Sequence, residues 1–306
     1  MIPEISVVMP VYNRESMVGE AIGSILAQTY ADFEFIIIDD CSTDGTCRVI
    51  ESFQDDRIRF IRNESKKNIP KLRNQGMDLA RGKYIAIMDS DDASLPHRLA
   101  VQKRFLDENE DYGLVGTFVR QNEDEIRAYP QGNDLLKYYT AFKCCFCNPS
   151  VMLRRSVFDE NHIRHDESCT IASDYSLQVS ALPYTKIENL SEPCLMYRFH
   201  KDNITNRTLH DPERALMRVE IIDRIHERAL KNLGIELSES ETATFLAFTG
   251  ESVKKLPEKE RFEDFKALLD KMERLYSGRF GAENVKYVHE QMIERTVRRY
   301  GRSENR

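Results

Sequence analysis

From its first residues to about position 108 the chain alternates short apolar runs with segments whose apolar residues recur at helical spacing. Ile5 to Val11 reads as a strand, Ser16 to Thr29 as a helix with Met17, Ala21, Ile22, Ile25 and Leu26 on one face, and Phe33 to Asp39 as the next strand. Thr43-Asp44-Gly45 supplies a helix start, Cys47 to Phe53 a helix, and Ile58 to Arg62 a short strand. Lys71 to Ala80 follows as a helix stopped by Gly82, and Tyr84 to Asp89 as a strand. Phe35 to Ile38 and Tyr84 to Met88 are continuous apolar runs, the pattern of strands buried on both faces. Repeated βα units of this kind predict an α/β fold on a doubly wound, mostly parallel, Rossmann-like sheet.

Pro96 suits the first turn of a helix predicted over His97 to Asn109, and Leu114 to Arg120 is the next strand. Tyr129 to Lys143 is mixed in pattern. Pro149 to Leu153 reads as a strand, Asp174 to Ala181 as a helix and Glu192 to Tyr197 as a strand. Past His210 the strand signals vanish, and Pro212 to Leu233, Glu239 to Val253 and Phe262 to Leu275 all show helical periodicity. Phe262, Phe265, Leu268, Leu269, Met272 and Leu275 form one apolar stripe, expected to serve packing or oligomerisation. A boundary is predicted near Asn203 to Asp211.

The 306 residues carry a formal charge of -7, which argues against a general nucleic-acid binder. No apolar stretch approaches the roughly 20 residues needed to span a bilayer. Met1-Ile2-Pro3-Glu4 lacks the basic start of a signal peptide, so a cytoplasmic location is expected. The seven cysteines are expected to be reduced thiols, since the Cys144-Cys145-Phe146-Cys147 spacing does not fit the usual zinc ligand pattern.

The chemistry is concentrated in acids. Asp39-Asp40, Asp44 and the run Asp89-Ser90-Asp91-Asp92 each follow an apolar run, and carboxylates at such strand ends face the crevice where open α/β sheets bind ligands. The first strand ends in Pro10-Val11-Tyr12-Asn13-Arg14 rather than a glycine-rich turn, and no Walker lysine motif is present. Without a glycine loop to cradle phosphates, the other way to hold a diphosphate beside a sheet edge is a divalent metal on carboxylates, and Asp89-Ser90-Asp91 offers that site. Asp44 reads as a helix cap.

Motif by motif the chain resembles the inverting, GT-A-type nucleotide-sugar glycosyltransferases of family 2. The matching segments are Ser6 to Asn13, Ser24 to Tyr30, Phe35 to Thr46, Arg73-Asn74-Gln75-Gly76, Ala80 to Asp92 and Pro96-His97-Arg98-Leu99. The resemblance covers about residues 3 to 208. It implies a catalytic domain over 1–208, with a nucleotide-binding half at 1–108 and an acceptor half at 109–208, followed by a helical extension at 209–306.

The resemblance sets the nucleoside against Pro10, Val11, Tyr12 and Asn13, with Asp40 facing the base and Asp39 near it. A carboxylate accepting from a pyrimidine N3–H favours uracil or thymine over cytosine, which makes a UDP-sugar the first expectation. Asp89, with Ser90 beside it, is expected near the ribose. Asp91 is expected to bind Mn²⁺ or Mg²⁺ between the donor phosphates, and Asp92 to support the loop. Met196-Tyr197-Arg198-Phe199-His200 looks like the family's Tyr-Arg-x-His segment, in which Arg198 reaches the phosphates and His200 the metal or diphosphate. Inverting transfer needs a base, and the family's Glu-Asp pair matches Ser173-Asp174, so Asp174 is the expected base and the Glu is replaced by Ser173. Asp166, Glu167 and His165 compete with it. Asn148-Pro149-Ser150-Val151-Met152 looks like the acceptor side.

The implied activity is sugar transfer to a hydroxyl of a glycan or lipid-linked acceptor in cell-surface polysaccharide synthesis; the alternative is a noncatalytic nucleotide-sugar-binding or scaffold protein of the same fold. Arg295, Arg298, Arg299, Arg302 and Arg306 form a basic end. It reads either as a solvated helix face or as a peripheral contact with an anionic inner-membrane surface.

Overall fold

The computed structural model describes residues 2–121, 125–200, 203, 208, 210–249 and 257–303. They divide into two units, one of residues 1–131 with 146–199 and one of residues 132–145 with 200–306.

The first unit opens with β1 (Ile5–Val11), α1 (Val18–Leu26), β2 (Phe33–Asp39), α2 (Thr46–Glu51), β3 (Ile58–Arg62), α3 (Ile69–Leu79) and β4 (Tyr84–Ile87). β1 pairs in parallel with β2 on one side and β4 on the other, and β2 pairs in parallel with β3. The chain thus builds outward from β1 through β2 to β3, then crosses to the far side of β1 for β4. The crevice at the carboxyl ends of β1 and β4 is the switch point where open α/β sheets bind ligands. Every residue of β1, β2 and β4 is buried, as suits their largely apolar runs, and the Ser6 hydroxyl bonds the Glu34 carboxylate across β1 and β2 at 2.7 Å. At Gly82, before β4, an added Cβ would lie 2.6 Å from the Ser6 backbone nitrogen, so only glycine lets this turn press against β1. α3 starts at Ile69, earlier than the sequence indicates, because the Asn68 side chain accepts from the Lys71 N–H and Pro70 fits the first turn.

Next come β5 (Ala93–Ser94), α4 (Arg98–Glu108), β6 (Tyr112–Gln121), β7 (Glu125–Arg127), α5 (Asn133–Thr140) in the second unit, β8 (Met152–Arg154), α6 (Arg155–Glu160), α7 (Ser173–Ala181) and β9 (Lys186–Tyr197). The strands run in the order β3-β2-β1-β4-β8-β6-β9-β5, with β7 beside β6. The parallel half ends at β4. β8 runs antiparallel to β4 and to β6, β7 is antiparallel to β6, and β5 to β9, whereas β6 and β9 are parallel. Only helical crossovers keep strands parallel, and β7 follows β6 after a few residues, so this half is mixed. The strand expected from Pro149 is a 3₁₀ turn over Asn148–Ser150, and extended pairing begins at Met152.

The second unit adds α8 (Pro212–Asn232), α9 (Glu239–Phe248), α10 (Arg261–Phe280) and α11 (Ala282–Ser303). Asp211 caps α8 by accepting from the Glu213 and Arg214 N–H groups, and Ser238 with Glu241 forms a capping box on α9. The stripe expected on α10 buries Phe265, Leu268, Leu269 and Met272, leaves Phe262 half-buried, and leaves Leu275 57% exposed. Val253, the expected end of α9, lies outside the described residues. α5 joins this unit through a buried seam in which the Tyr138 hydroxyl lies 2.7 Å from His289 Nε2. No helix among the described residues is long and apolar enough to cross a membrane.

Candidate active site

Three strand ends in the first unit meet in one crevice. β1 delivers Pro10 and Val11 and then turns at Asn13, whose φ of 49° is left-handed. The turn is fastened to the loop after β2: the Asn13 N–H donates to Ser42 Oγ at 2.9 Å, and its Oδ1 accepts from the Thr43 N–H at 2.8 Å. Among the described residues four non-glycines are left-handed, and three of them, Asn13, Cys41 and Ala172, stand at the loops after β1 and β2 and before α7. Strained backbone of this kind persists where the surroundings over-determine it. Beside the turn, Lys66 Nζ lies 3.3 Å over the Tyr12 ring.

At the end of β2, Asp39 is buried and its Oδ2 accepts from the Ser42 N–H at 3.0 Å. Asp40 donates its N–H to the Val11 carbonyl at 2.9 Å, and its Oδ1 accepts from the Lys67 N–H at 2.6 Å. Burial raises the Asp40 pKa above the usual carboxylate range, while the Lys67 N–H and the Lys66 ammonium pull it down. Asp44 bonds the Thr46 N–H at 3.0 Å and so fixes the entry to α2.

The end of β4 carries Asp89, buried Ser90, Asp91 and Asp92. Asp89 pairs with Arg73 Nη2 of α3 at 3.2 Å, and Asp91 with Arg14 Nε at 3.3 Å. Asp92 is 1% exposed; its Oδ1 accepts from the Arg198 N–H at 2.9 Å, tying the β4 loop to the end of β9, and its Oδ2 is buried without a hydrogen-bond partner. Burial, then Asp89 and Asp91, push the Asp92 pKa well above the ordinary value. Asp89 is also raised, by burial and by Asp91 and Asp174, against the opposing Arg73 guanidinium.

Asp89 and Asp92, both raised by their acidic neighbours, and Asp91 beside them are hard oxygen donors of the kind that a divalent cation takes. No three His, Cys, Asp or Glu side chains among the described residues converge as a closed cage. That pattern suits a cation held by one or two carboxylates and completed by substrate phosphates.

Beneath the acids, Arg98 of α4 is fully buried and donates to the Ile87 carbonyl at 2.7 Å, the Val151 carbonyl at 3.2 Å, Ser94 Oγ and Gln102 Oε1. Burial lowers its pKa to about 10, against the pull of nearby Asp89 and Asp92, which still leaves a cation at neutral pH.

Asp174 stands in the first turn of α7, which starts after left-handed Ala172. Arg73 reaches this turn as well, since its Nη1 donates to Ser173 Oγ at 3.4 Å. Asn74 clamps the approach to α7 by pairing with both backbone groups of His165, at 2.8 and 2.9 Å. The competing groups are otherwise engaged: Asp166 accepts from the Ser168 N–H and hydroxyl, Glu167 lies 3.9 Å from Lys71, and burial and Arg73 push His165 down to about 3, so it is neutral. The Arg198 guanidinium pairs with Glu20 of α1. His200 belongs to the second unit, where its N–H donates to Asn203 Oδ1 at 2.6 Å.

The fold therefore brings together Pro10 to Asn13, Asp39, Asp40, Asp89 to Asp92 and, through Arg73, Asp174. Sequence reasoning missed the cations that hold them: Arg14, Arg73 and Arg98. Each sits in or beside a recognisable segment, but nothing local pairs Arg14 with an acid 77 positions away.

The chain matches the family model described as Glycosyl transferase family 2 over residues 6–173, more than half of its length. EpsE of Bacillus subtilis (strain 168) is 35% identical over 166 residues, 51% of this chain and 58% of that protein, so the match spans less than two thirds of EpsE. The UDP-Glc:alpha-D-GlcNAc-diphosphoundecaprenol beta-1,3-glucosyltransferase WfgD of Escherichia coli is 29% identical over 69% of this chain and 83% of its own length. Among solved structures, S. aureus TarS 1-349 in complex with UDP-GlcNAc superposes with a TM-score of 0.64 at 22% identity, covering 94% of this chain and 90% of that one. With this sheet, this crevice and the family match, the chain belongs to glycosyltransferase family 2 and has an α/β fold of the GT-A type with a helical C-terminal part.

Proposed function

We propose that the chain transfers a sugar from a nucleotide-sugar, in the first instance a UDP-sugar, to a hydroxyl of a glycan or lipid-linked acceptor, with inversion, in cell-surface polysaccharide synthesis. The observation that carries this reading is the Arg73 guanidinium, bonded to Asp89 at the end of β4 and to Ser173 beside Asp174. Donor-side acids and candidate base thereby share one cation. The UDP-Glc donor of WfgD and the UDP-GlcNAc bound to TarS support the choice of donor.

Pro10, Val11, Tyr12 and Asn13 receive the nucleoside, and Asp40 accepts from the uracil N3–H while Asp39 braces the turn. Asp89 and Ser90 meet the ribose, and Arg198 exchanges Glu20 for a donor phosphate. Asp91 would hold Mn²⁺ or Mg²⁺, which when bound neutralises charge on the diphosphate. Asp174 takes the proton of the acceptor hydroxyl as its oxygen attacks the anomeric carbon in line. The anomeric C–O bond breaks on the opposite side, and its electron pair leaves with UDP. Residues 1–208 supply the catalytic domain and 209–306 the extension, in the cytoplasm and in peripheral contact with the membrane.

Asp174→Asn tests the reading. General base catalysis contributes about 10²- to 10⁴-fold, so transfer from a UDP-sugar should fall by that factor while UDP affinity, by calorimetry, stays within about twofold. Transfer at the wild-type rate would remove Asp174 as base. Retained UDP binding with no transfer in the wild type would favour the noncatalytic alternative.

A further inference from the structure

The turn that carries Asp174 is held by side chains from elsewhere rather than by a cap of its own. α7 starts after Ala172, left-handed at a φ of 60°, and no side chain of the cap residue bonds its first N–H groups. A Ser, Thr, Asp or Asn usually fixes the entry to a helix, and alanine has nothing to offer there. Ser173, the residue before Asp174, is gripped instead: its hydroxyl accepts from Arg73 Nη1 at 3.4 Å, and its carbonyl lies 3.1 Å from His165 Nδ1.

A carbonyl only accepts, so His165 Nδ1 carries the proton of this bond. The ring is 2% exposed, and burial with the charge of Arg73 pushes it down to about 3, so it is neutral and Nε2 is an acceptor. Nε2 is buried without a hydrogen-bond partner. Burying an acceptor unpaired costs free energy, so an imidazole is kept here for the one bond it makes, to Ser173. His165 is itself anchored, because Asn74 accepts from its N–H at 2.8 Å and donates to its carbonyl at 2.9 Å. The preceding residue, Arg73, bonds both Asp89 and Ser173. Two successive residues of α3 thus span from the donor-side acids to the first turn of α7, and His165 is the link between Asn74 and Ser173. All of these groups lie in the first unit.

We infer that His165, as the neutral Nδ1–H tautomer, is a positioning residue for Asp174, holding the Ser173 carbonyl so that the neighbouring carboxylate is set for the acceptor hydroxyl. What Asp174 does there rests on the functional reading above; how its turn is held rests on the hydrogen bonds alone.

The test uses the full chain. With ¹⁵N-labelled histidine at neutral pH, the ring whose signals vanish in His165→Asn should be protonated on Nδ1 alone; a proton on Nε2, or on both nitrogens, overturns the inference. Turnover is read as UDP released from UDP-glucose or UDP-N-acetylglucosamine, with water as the attacking hydroxyl. His165→Phe keeps a ring and removes the donor, and kcat should fall about ten- to hundredfold, the effect of a misplaced reacting group, with KM and UDP affinity within about twofold. His165→Asn sets an amide N–H near the Nδ1 position and should restore most of kcat. Arg164→Gln strips the ion pairs with Asp78 and Asp159 from the same loop, and should lower the melting temperature while leaving kcat within about twofold. Equal loss of kcat in the Phe and Asn variants, or as large a loss in Arg164→Gln, overturns the positioning role. A wild type that turns over neither donor counts against the functional reading instead. Amide protection across residues 173–177 then decides: loss in His165→Phe with retention in His165→Asn supports the link to Ser173, and protection unchanged in both overturns it.

Discussion

The acid crevice of the first unit and the aromatic seam of the second both bury polar groups, but they satisfy them differently. In the crevice the groups are charges: half-buried Asp89 and Asp91 crowd against buried Asp92, Arg73 and Arg14 pair with the first two, and buried Arg98 lies beneath, bonded to carbonyls. In the seam the buried groups are neutral, with His289 and Tyr138 sharing one hydrogen bond among Phe142, Phe245 and Phe280. Charges taken out of water stabilise a fold poorly even when paired, whereas neutral, bonded groups in a packed core stabilise it. The difference marks the crevice as the place whose charges can exchange partners with a ligand, and the seam as scaffold.

The severest way to break this contrast is Arg98→Met, which removes the guanidinium from under the acids. The Ile87 and Val151 carbonyls would then lose the guanidinium donor, and Val151 would keep the Ile87 N–H. Unfolding free energy in urea should drop by about 3–5 kcal/mol, the usual cost of removing one partner from a buried charged network.

Titration separates the two regions by sign. Burial lowers His289 to about 4 against an ordinary 6.5, so between those values the unfolded chain binds the extra proton. Its contribution is intact above pH 6.5 and fades as pH falls toward 4, by about 3 kcal/mol in total. Asp89 and Asp92 are raised, so the folded crevice holds the extra protons, and its stability fades instead as pH rises through their folded values. In metal-free buffer, as pH is lowered from neutrality, amide protection factors corrected for the intrinsic exchange rate should rise around residues 88–92 and fall around 136–142 and 285–292. A change of the same sign in both regions would contradict the contrast.

The mildest change is Tyr138→Phe, which leaves His289 Nε2 buried without its partner. It should destabilise by about 1–3 kcal/mol in thermal or urea unfolding and leave UDP affinity unaltered.

The features legible in the sequence are those written locally. Largely apolar runs gave β1, β2 and β4 to within a residue or two at each end, and the acids at their ends marked the crevice. α7 was readable from Ser173-Asp174 with the family match. What escaped depends on contacts distant along the chain. The pairing of Arg73 with Asp89 and of Arg14 with Asp91 exists only once α3 and the β1 loop stand beside β4. The mixed direction of the sheet beyond β4 follows from short connections in a stretch with no clear period. α5 was hidden because Tyr138 and Phe142 bury against α9, α10 and α11, more than 100 residues away. α11, rich in charges, hides its buried Val285, Val288 and Met292 among them.

The central claim is that the acids at the end of β4 bind the donor through its diphosphate. Calorimetric titration of UDP with and without Mn²⁺, on the wild type and on Asp91→Ala, tests it most directly. The account predicts UDP binding that requires the cation and is lost in Asp91→Ala; binding that is the same with and without Mn²⁺, or that survives the substitution, would contradict it.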